Sequence, residues 1–189
     1  PFDYETLKTS QSRFYVGASN CLTGEPEFFL LNEADKNEFK TILSASCSLP
    51  LIAPVVSYKN KPFLDGGLAD SIPYSQALQN EQNKAVIILT RPHGYEKSPL
   101  KNKFLFKLFY RKYPKVYEIL CQRAENYNAS LRHLNRLEKE GVVYLIRPET
   151  DLKIKRTENN PDKTREIYEE GRMAAEQQLA RLKSWLKSK

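Results

Sequence analysis

Residues 44–73, with the sequence SASCSLPLIAPVVSYKNKPFLDGGLADSIP, are the stretch that decides the fold. Within it, Asp65-Gly66-Gly67 follows a short strand predicted over residues 62–64. Glycine adopts positive φ and lets another group approach closely, so this tripeptide can present a carboxylate on sharply turning backbone. Judged alone, it is more typical of an ordinary turn, because Asp-Gly pairs are common turn formers.

The residues before this stretch predict a hairpin followed by a helix. Residues 13–19 and 27–31 are rich in β-branched and aromatic side chains and flank a Gly-Glu-Pro turn, which predicts two paired strands. Asn32 is predicted to cap a helix over residues 33–44. After the deciding stretch, Pro73 is predicted to lie in the first turn of a short helix that ends near Asn80.

Two later apolar runs predict strands that are buried on both faces. Residues 85–89 and 142–146 are almost continuously apolar and β-branched, a pattern typical of parallel sheets. The order of strand, helices and strand indicates an α/β domain. The helices predicted between and after these strands cover residues 100–111, 114–124, 125–140 (ending at Gly141) and 160–187.

The last predicted helix begins at Asn160-Pro161, an N-cap followed by a first-turn proline. Gly171 weakens an isolated helix, so we expect this helix to be packed down along its length. The apolar residues expected to face the protein are Ile167, Ala174, Ala175, Leu179, Leu182 and Leu186.

Composition and charge narrow the class of protein. Of the 189 residues, 40% are hydrophobic and the net charge is +7, which is typical of a globular protein that contacts anionic surfaces. Three cysteines without metal-like spacing favour a reduced, cytoplasmic compartment. Only two histidines argue against a multi-histidine metal site, so we expect any hydrolytic site to work without zinc. No stretch is long and apolar enough to predict a membrane span.

Several motifs together resemble the patatin-like phospholipase family. Serine-rich ASCSLP, a proline-bearing connector and DGGLADSIP follow one another in the family's order, and VGASNCLTGEPEFF upstream resembles the family's hairpin. AVIILTRPHGYEKSP and Phe-Tyr-Arg-Lys-Tyr-Pro resemble a bacterial subgroup with a helical C-terminal extension. The resemblance covers nearly the whole chain.

This resemblance implies a three-layer α/β/α fold with a mostly parallel sheet, followed by C-terminal helices. Residues 1–92 would be the C-terminal portion of the catalytic core. Residues 93–189 would be a mostly helical extension that packs on the core and contains one further strand at about residues 142–146.

The resemblance also implies a Ser-Asp dyad that hydrolyses lipid or phospholipid esters and needs neither a metal nor an organic cofactor. Asp65 matches the family's catalytic aspartate, and Gly66 and Gly67 shape the backbone beside it. The family's serine lies in a G-x-S-x-G elbow, and a glycine-rich loop supplies oxyanion donors. Neither feature occurs among the seven glycines of this chain. The sequence therefore predicts a fragment that is inactive alone and that binds either a missing N-terminal segment or another copy of itself.

Serine and cysteine near the motif have plainer interpretations than a nucleophile. Ser44, Ser46 and Ser48 lack a glycine-flanked elbow, so we expect small side chains that allow close packing near the site. Cys47 has no histidine nearby in the sequence, and we expect a buried, inert thiol.

Three further side chains leave alternatives open. His93 follows a predicted strand, where a minor substrate contact is the alternative to an ordinary loop residue. His133 is expected on a helix surface. Asp70 is expected to be a partner of the helix N-terminus at Pro73, with a second site carboxylate as the alternative.

Residues 100–117, LKNKFLFKLFYRKYPKVY, interleave six lysines or arginines with aromatic residues and leucines. As a helix, they would place Phe104, Leu105, Leu108 and Phe109 on one face. We favour a core helix with a solvated basic side, and the alternative is a helix that adsorbs to an anionic membrane. No recognised nucleic-acid module occurs, so no nucleic-acid partner is expected. The alternative function is accordingly a non-enzymatic basic α/β module that binds an anionic membrane or a protein. For either function we expect a cytoplasmic protein, with a peripheral position at the inner membrane face as an alternative.

Overall fold

The computed structural model describes residues 2–79, 84–154 and 158–187. The helices are α1 (Tyr4–Thr9), α2 (Lys36–Ser46), α3 (Tyr74–Gln79), α4 (Lys103–Phe109), α5 (Pro114–Lys139) and α6 (Pro161–Lys187). The strands are β1 (Tyr15–Asn20), β2 (Pro26–Leu30), β3 (Val56–Tyr58), β4 (Lys61–Asp65), β5 (Ala85–Ile88) and β6 (Val143–Ile146). A 3₁₀ turn over Gly66–Leu68 follows β4 directly.

The chain divides into two compact units. The first contains residues 1–73 and 97–129, and the second contains residues 74–96 and 130–189. The division into residues 1–92 and 93–189 follows from the family resemblance and stays a prediction.

Four antiparallel strands form the sheet of the first unit, in the order β2-β1-β4-β3. β1 pairs with β2 over its length and with the end of β4, where Ala18 lies opposite Asp65. The β3–β4 hairpin turns at Lys59 and Asn60, both with positive φ, which is the backbone of the two-residue turn that matches the twist of paired strands. The two predicted strands before the deciding stretch are confirmed as a hairpin, with ends shifted by one or two residues.

Helices cover both faces of this sheet, as two neighbouring residues of β4 show. Side chains of neighbouring strand residues point to opposite faces of a sheet. Phe63 packs in a buried cluster with Ala18 and with Ala45 of α2. Leu64 packs in another with Val116 and Leu120 of α5. The strand that ends at Asp65 is therefore held from both sides.

Helix α2 begins three residues later than predicted, and its cap is Asp35. The Asp35 carboxylate accepts from the backbone of Asn37 and Glu38, and the Glu38 side chain accepts from the Asp35 N–H, so the two residues form a capping box. Asn32 was the wrong cap because its side chain is used elsewhere: it accepts from the N–H of Phe14 and donates to two carbonyl groups of the chain before β1.

The second unit contains the two strands predicted to be parallel, and β5 pairs with β6 in parallel with Ala85 opposite Val143. β6 is buried throughout. In β5, however, Val86 and Ile88 are exposed, so the expected burial on both faces is wrong for this strand. Since the larger sheet is antiparallel, the described residues establish a mixed α/β structure. The mostly parallel, three-layer fold stays a prediction.

One continuous helix, α5, replaces the two helices predicted over residues 114–140. It ends at Gly141, whose φ is +74°. The N–H of Gly141 donates to the carbonyl of Glu138 and that of Val142 to the carbonyl of Leu137, which is the Schellman arrangement. Gly141 is thus confirmed as the residue that terminates the helix.

The final helix, α6, has the predicted ends, and Asn160 accepts from the N–H groups of Asp162 and Lys163. Its predicted packing is wrong in part: Leu179, Leu186 and Gly171 are exposed. Its single tryptophan, Trp185, donates from Nε1 to the carbonyl of Gly141. Among the described residues, no helix combines the length and apolarity needed to cross a bilayer.

Candidate active site

Asp65 is the last residue of β4, and its backbone is anchored to the segment after α2. The Asp65 N–H donates to the carbonyl of Ser48 at 2.9 Å. Ser48 is buried, and its hydroxyl donates to the carbonyl of Ser44, which closes the end of α2. The small residues of this segment therefore allow the close packing beside Asp65 that the sequence predicted.

A second anchor is Ser19 of β1, a buried residue that sequence reasoning did not identify. Its hydroxyl donates to the Asp65 carbonyl at 2.8 Å and accepts from the N–H of Ala69 at 3.0 Å. The hydroxyl thus satisfies both ends of the 3₁₀ turn. Since Ser19 uses its hydroxyl in this way, it is a structural residue and no candidate nucleophile.

The glycine at position 66 is required by space. A Cβ there would lie 2.3 Å from the carbonyl oxygen of Gly17, closer than two such atoms can approach. Neither Gly66 nor Gly67 has a positive φ, so the expected conformational use of glycine is wrong. The close approach that the structure shows is between β1 and the turn after β4, which touch backbone to backbone at Gly66.

The carboxylate of Asp65 is half-buried and held by the turn that it begins. Oδ1 accepts from the N–H of Gly67 at 2.8 Å. Within the described part of the chain, no donor reaches Oδ2 at hydrogen-bond distance. One oxygen therefore fixes the orientation of the carboxylate, and the other has no hydrogen-bond partner among the described residues.

Arg123 of α5 reaches the same turn, and nothing in the sequence singled it out. Its Nε donates to the Gly67 carbonyl at 2.6 Å. A Cβ on Gly67 would lie 3.0 Å from Oδ1 of Asp65 and 3.4 Å from Nη2 of Arg123. The guanidinium and the carboxylate therefore flank Gly67, which leaves little space for any side chain at that position.

Asp70 is a second half-buried carboxylate in the loop after the 3₁₀ turn. Burial raises the pKa of Asp70, and a hydrogen bond from the N–H of Ile72 opposes that shift. That N–H lies 3.1 Å from Oδ1, so Asp70 caps the turn before Pro73 and does not cap helix α3, which begins at Tyr74.

The remaining serine and cysteine candidates of the first unit differ in how far they are buried. Ser44 is exposed and Ser46 is half-buried at the end of α2. Cys47 is exposed, so the expected buried thiol is wrong. The buried cysteine is Cys21, and burial raises the pKa of its thiol to about 12, which keeps it protonated and unreactive at neutral pH.

Both histidines lie in the second unit, whereas Asp65 lies in the first. His93 is exposed in a turn. His133 is half-buried, and its Nδ1 lies 2.9 Å from the hydroxyl of Tyr74, so it is more than the surface residue that the sequence predicted. Across the described ranges, no three His, Cys, Asp or Glu side chains group in a way that could hold a metal ion.

Two segments of the sequence match known families. Residues 8–78 match the family described as Patatin-like phospholipase, and residues 113–187 match a domain of unknown function, DUF6363. A search of curated proteins finds no match. The expected resemblance is thus confirmed for residues 8–78, which match this family and contain Asp65, and not for nearly the whole chain. The bacterial subgroup stays a prediction.

Proposed function

We propose that this chain supplies the aspartate of a Ser-Asp dyad in an enzyme that hydrolyses lipid or phospholipid esters. The observation that supports the proposal most is the state of Asp65. Its carboxylate follows a strand held on both faces, Oδ1 is fixed by the Gly67 N–H, and Oδ2 is available. A general base needs this combination of fixed direction and a free oxygen.

In the proposed reaction, Asp65 accepts the proton of a serine hydroxyl as the serine oxygen attacks the ester carbonyl. The acyl-serine forms, and the alcohol leaves with the proton returned by Asp65. A water molecule, deprotonated by Asp65 in turn, then releases the carboxylic acid and regenerates the serine. No step requires a metal or an organic cofactor.

The serine and the oxyanion donors come, in this proposal, from a G-x-S-x-G elbow and a glycine-rich loop outside these 189 residues. The chain alone is therefore expected to be inactive. The antiparallel sheet of the first unit, with α2 and α5 on its faces, would be one part of a larger three-layer α/β/α fold with a mostly parallel sheet.

The test is ester hydrolysis by a protein that includes the serine elbow, compared between wild type and Asp65→Asn. Asparagine has the shape of aspartate and still accepts the Gly67 N–H, so the fold is kept and only the base is lost. We expect kcat to fall at least about 100-fold in the variant. Asp70→Asn is the matched control and is expected to retain activity. Undiminished hydrolysis by Asp65→Asn would refute the role given to Asp65.

A further inference from the structure

The short helix α4 exposes the apolar face that the sequence placed in a core. Phe104, Leu105, Leu108 and Phe109 are 80%, 51%, 58% and 63% exposed. Successive residues of a helix are about 100° apart, so these four positions lie on one side of α4. We call them the α4 apolar surface. The favoured core interpretation is therefore wrong for this face.

The opposite side of α4 attaches it to the first unit. Phe106 packs against the buried cluster formed by Leu64, Val116 and Leu120. Tyr110, the residue after the helix, is buried, and its hydroxyl accepts from the N–H of Leu51 at 3.1 Å. The helix is thus anchored by one edge, while the four side chains of the α4 apolar surface stay exposed.

Beside Leu51, the loop before β3 adds one more exposed apolar side chain to this end of the unit. Ile52 is 70% exposed, and it follows the residue that bonds to Tyr110. Exposed apolar groups that occur singly need no explanation, but a contiguous set of large ones indicates an interaction site.

The stretch of sequence that contains this surface carries charge of a single sign. Residues 100–117 contain six lysines or arginines and no acidic residue. Lys115 pairs with Glu118. In the ranges that the structure describes, the other basic side chains of this stretch form no ion pair: Lys101, Lys103, Lys107, Arg111 and Lys112. They are all exposed, so uncompensated positive charge flanks the α4 apolar surface on both sides in the sequence.

We propose that the α4 apolar surface docks on an anionic lipid bilayer. The phenylalanine and leucine side chains enter the boundary between headgroups and acyl chains, and the surrounding lysines and arginines contact lipid phosphates. Docking on a bilayer is a separate function from the proposed ester hydrolysis, because binding requires neither Asp65 nor a serine. Where both hold, docking brings the unit that contains Asp65 to the surface of its substrate.

The charge also separates the bilayer from the other occupants. A second copy, packed symmetrically, would set this basic stretch against itself, and like charges brought together oppose association. A nucleic-acid strand would use basic and aromatic side chains but gains nothing from exposed leucines at 105 and 108. A bilayer with anionic headgroups satisfies both features at once.

The test is co-sedimentation of the chain with two kinds of vesicle, one of phosphatidylcholine and one of equal parts phosphatidylcholine and phosphatidylserine. We expect binding to the anionic vesicles that weakens at high salt. The double variant Phe104→Ser, Leu108→Ser removes apolar contacts, and Lys103→Glu, Lys107→Glu reverses charge. Each is expected to reduce the partition coefficient by about tenfold or more.

Matched control variants lie on α6 in the second unit. Tyr168 and Leu186 are 66% and 56% exposed, so Tyr168→Ser, Leu186→Ser removes comparable surface. Arg181→Glu, Lys183→Glu makes the same change in net charge as the lysine reversals. Both controls are expected to bind as wild type does.

Three results would overturn the proposal. One is equal binding to neutral and anionic vesicles, and another is equal loss in the α4 and α6 variants. The third is a wild-type protein that is dimeric in solution and becomes monomeric in Phe104→Ser, Leu108→Ser, when neither the wild type nor any variant binds vesicles. Because the assay measures binding alone, its failure leaves the ester-hydrolysis test of Asp65 unaffected.

Discussion

The hydroxyl of Ser19 donates to the carbonyl of Asp65 at 2.8 Å, across 46 positions of sequence. The same hydroxyl accepts from the N–H of Ala69, so a single buried atom joins β1 to both ends of the turn that begins at Asp65. The position of the proposed base is therefore set by a strand near the start of the chain as much as by its own motif.

Replacing Ser19 tests this connection. Ser19→Ala leaves the Ala69 N–H and the Asp65 carbonyl without their buried partner, and we expect the free energy of unfolding to fall by about 1–3 kcal/mol. Chemical denaturation measures the change. Ser57→Ala, at an exposed position of β3, is the control and should change stability by less than about 0.5 kcal/mol. Equal effects at the two positions would contradict the account of Ser19.

Two glycine substitutions are predicted to change stability in opposite directions, because Gly66 contacts Gly17 closely and Gly171 has open space around it. Gly66→Ala forces a Cβ against backbone atoms of β1, and we expect destabilisation of about 3 kcal/mol or more. Gly171→Ala, in the exposed middle of α6, meets nothing within 4 Å and should stabilise the protein by about 0.5–1 kcal/mol. Thermal unfolding of both variants would show the two signs, and a tolerated alanine at position 66 would rule out the close approach.

The half-buried carboxylate of Asp70 predicts a pH-dependent effect. Its pKa is raised in the folded state, so its contribution to stability is present below the unfolded pKa, about 3.9, and is lost as pH rises through the folded pKa. Asp70→Asn removes the charge and can still accept the Ile72 N–H. We expect the variant to be more stable than wild type at neutral pH, with the difference vanishing in acid.

Asp35 provides a control of opposite sign for this measurement. The N–H groups of Glu38 and Asn37 lower the pKa of Asp35, so its contribution is present above about pH 3.9 and is lost as pH falls. Asp35→Asn should therefore be less stable than wild type at neutral pH and approach it in acid. If both variants shifted stability in the same direction at neutral pH, the assignment of Asp70 as a carboxylate penalised by burial would be wrong.

Local signals in the sequence located the ends of helices and hairpins well. Asn160-Pro161 and Gly141 determine their helix ends through hydrogen bonds within a few residues, so no distant contact is needed to predict them. The cap of α2 was misplaced because Asn32 has the right chemistry but bonds to residues far from it in sequence.

Several other wrong predictions concern whether an apolar face is buried or exposed. The apolar pattern of residues 100–111 showed correctly which side chains share a face of a helix, but periodicity does not say whether that face meets a core. The same holds for Leu179 and Leu186 of α6. Ser19 and Arg123 were missed for a related reason: their bonds to Asp65 and Gly67 join residues 46 and 56 positions apart, which no local motif records.

The most direct test of the central claim is covalent labelling by a fluorophosphonate, a probe that reacts with activated serines. A protein that includes the serine elbow should be labelled on the G-x-S-x-G serine, located by mass spectrometry, and the labelling rate should fall at least about 100-fold in Asp65→Asn. The 189-residue chain alone should not be labelled. Equal labelling rates in wild type and Asp65→Asn, or labelling of a serine within these 189 residues, would contradict the dyad.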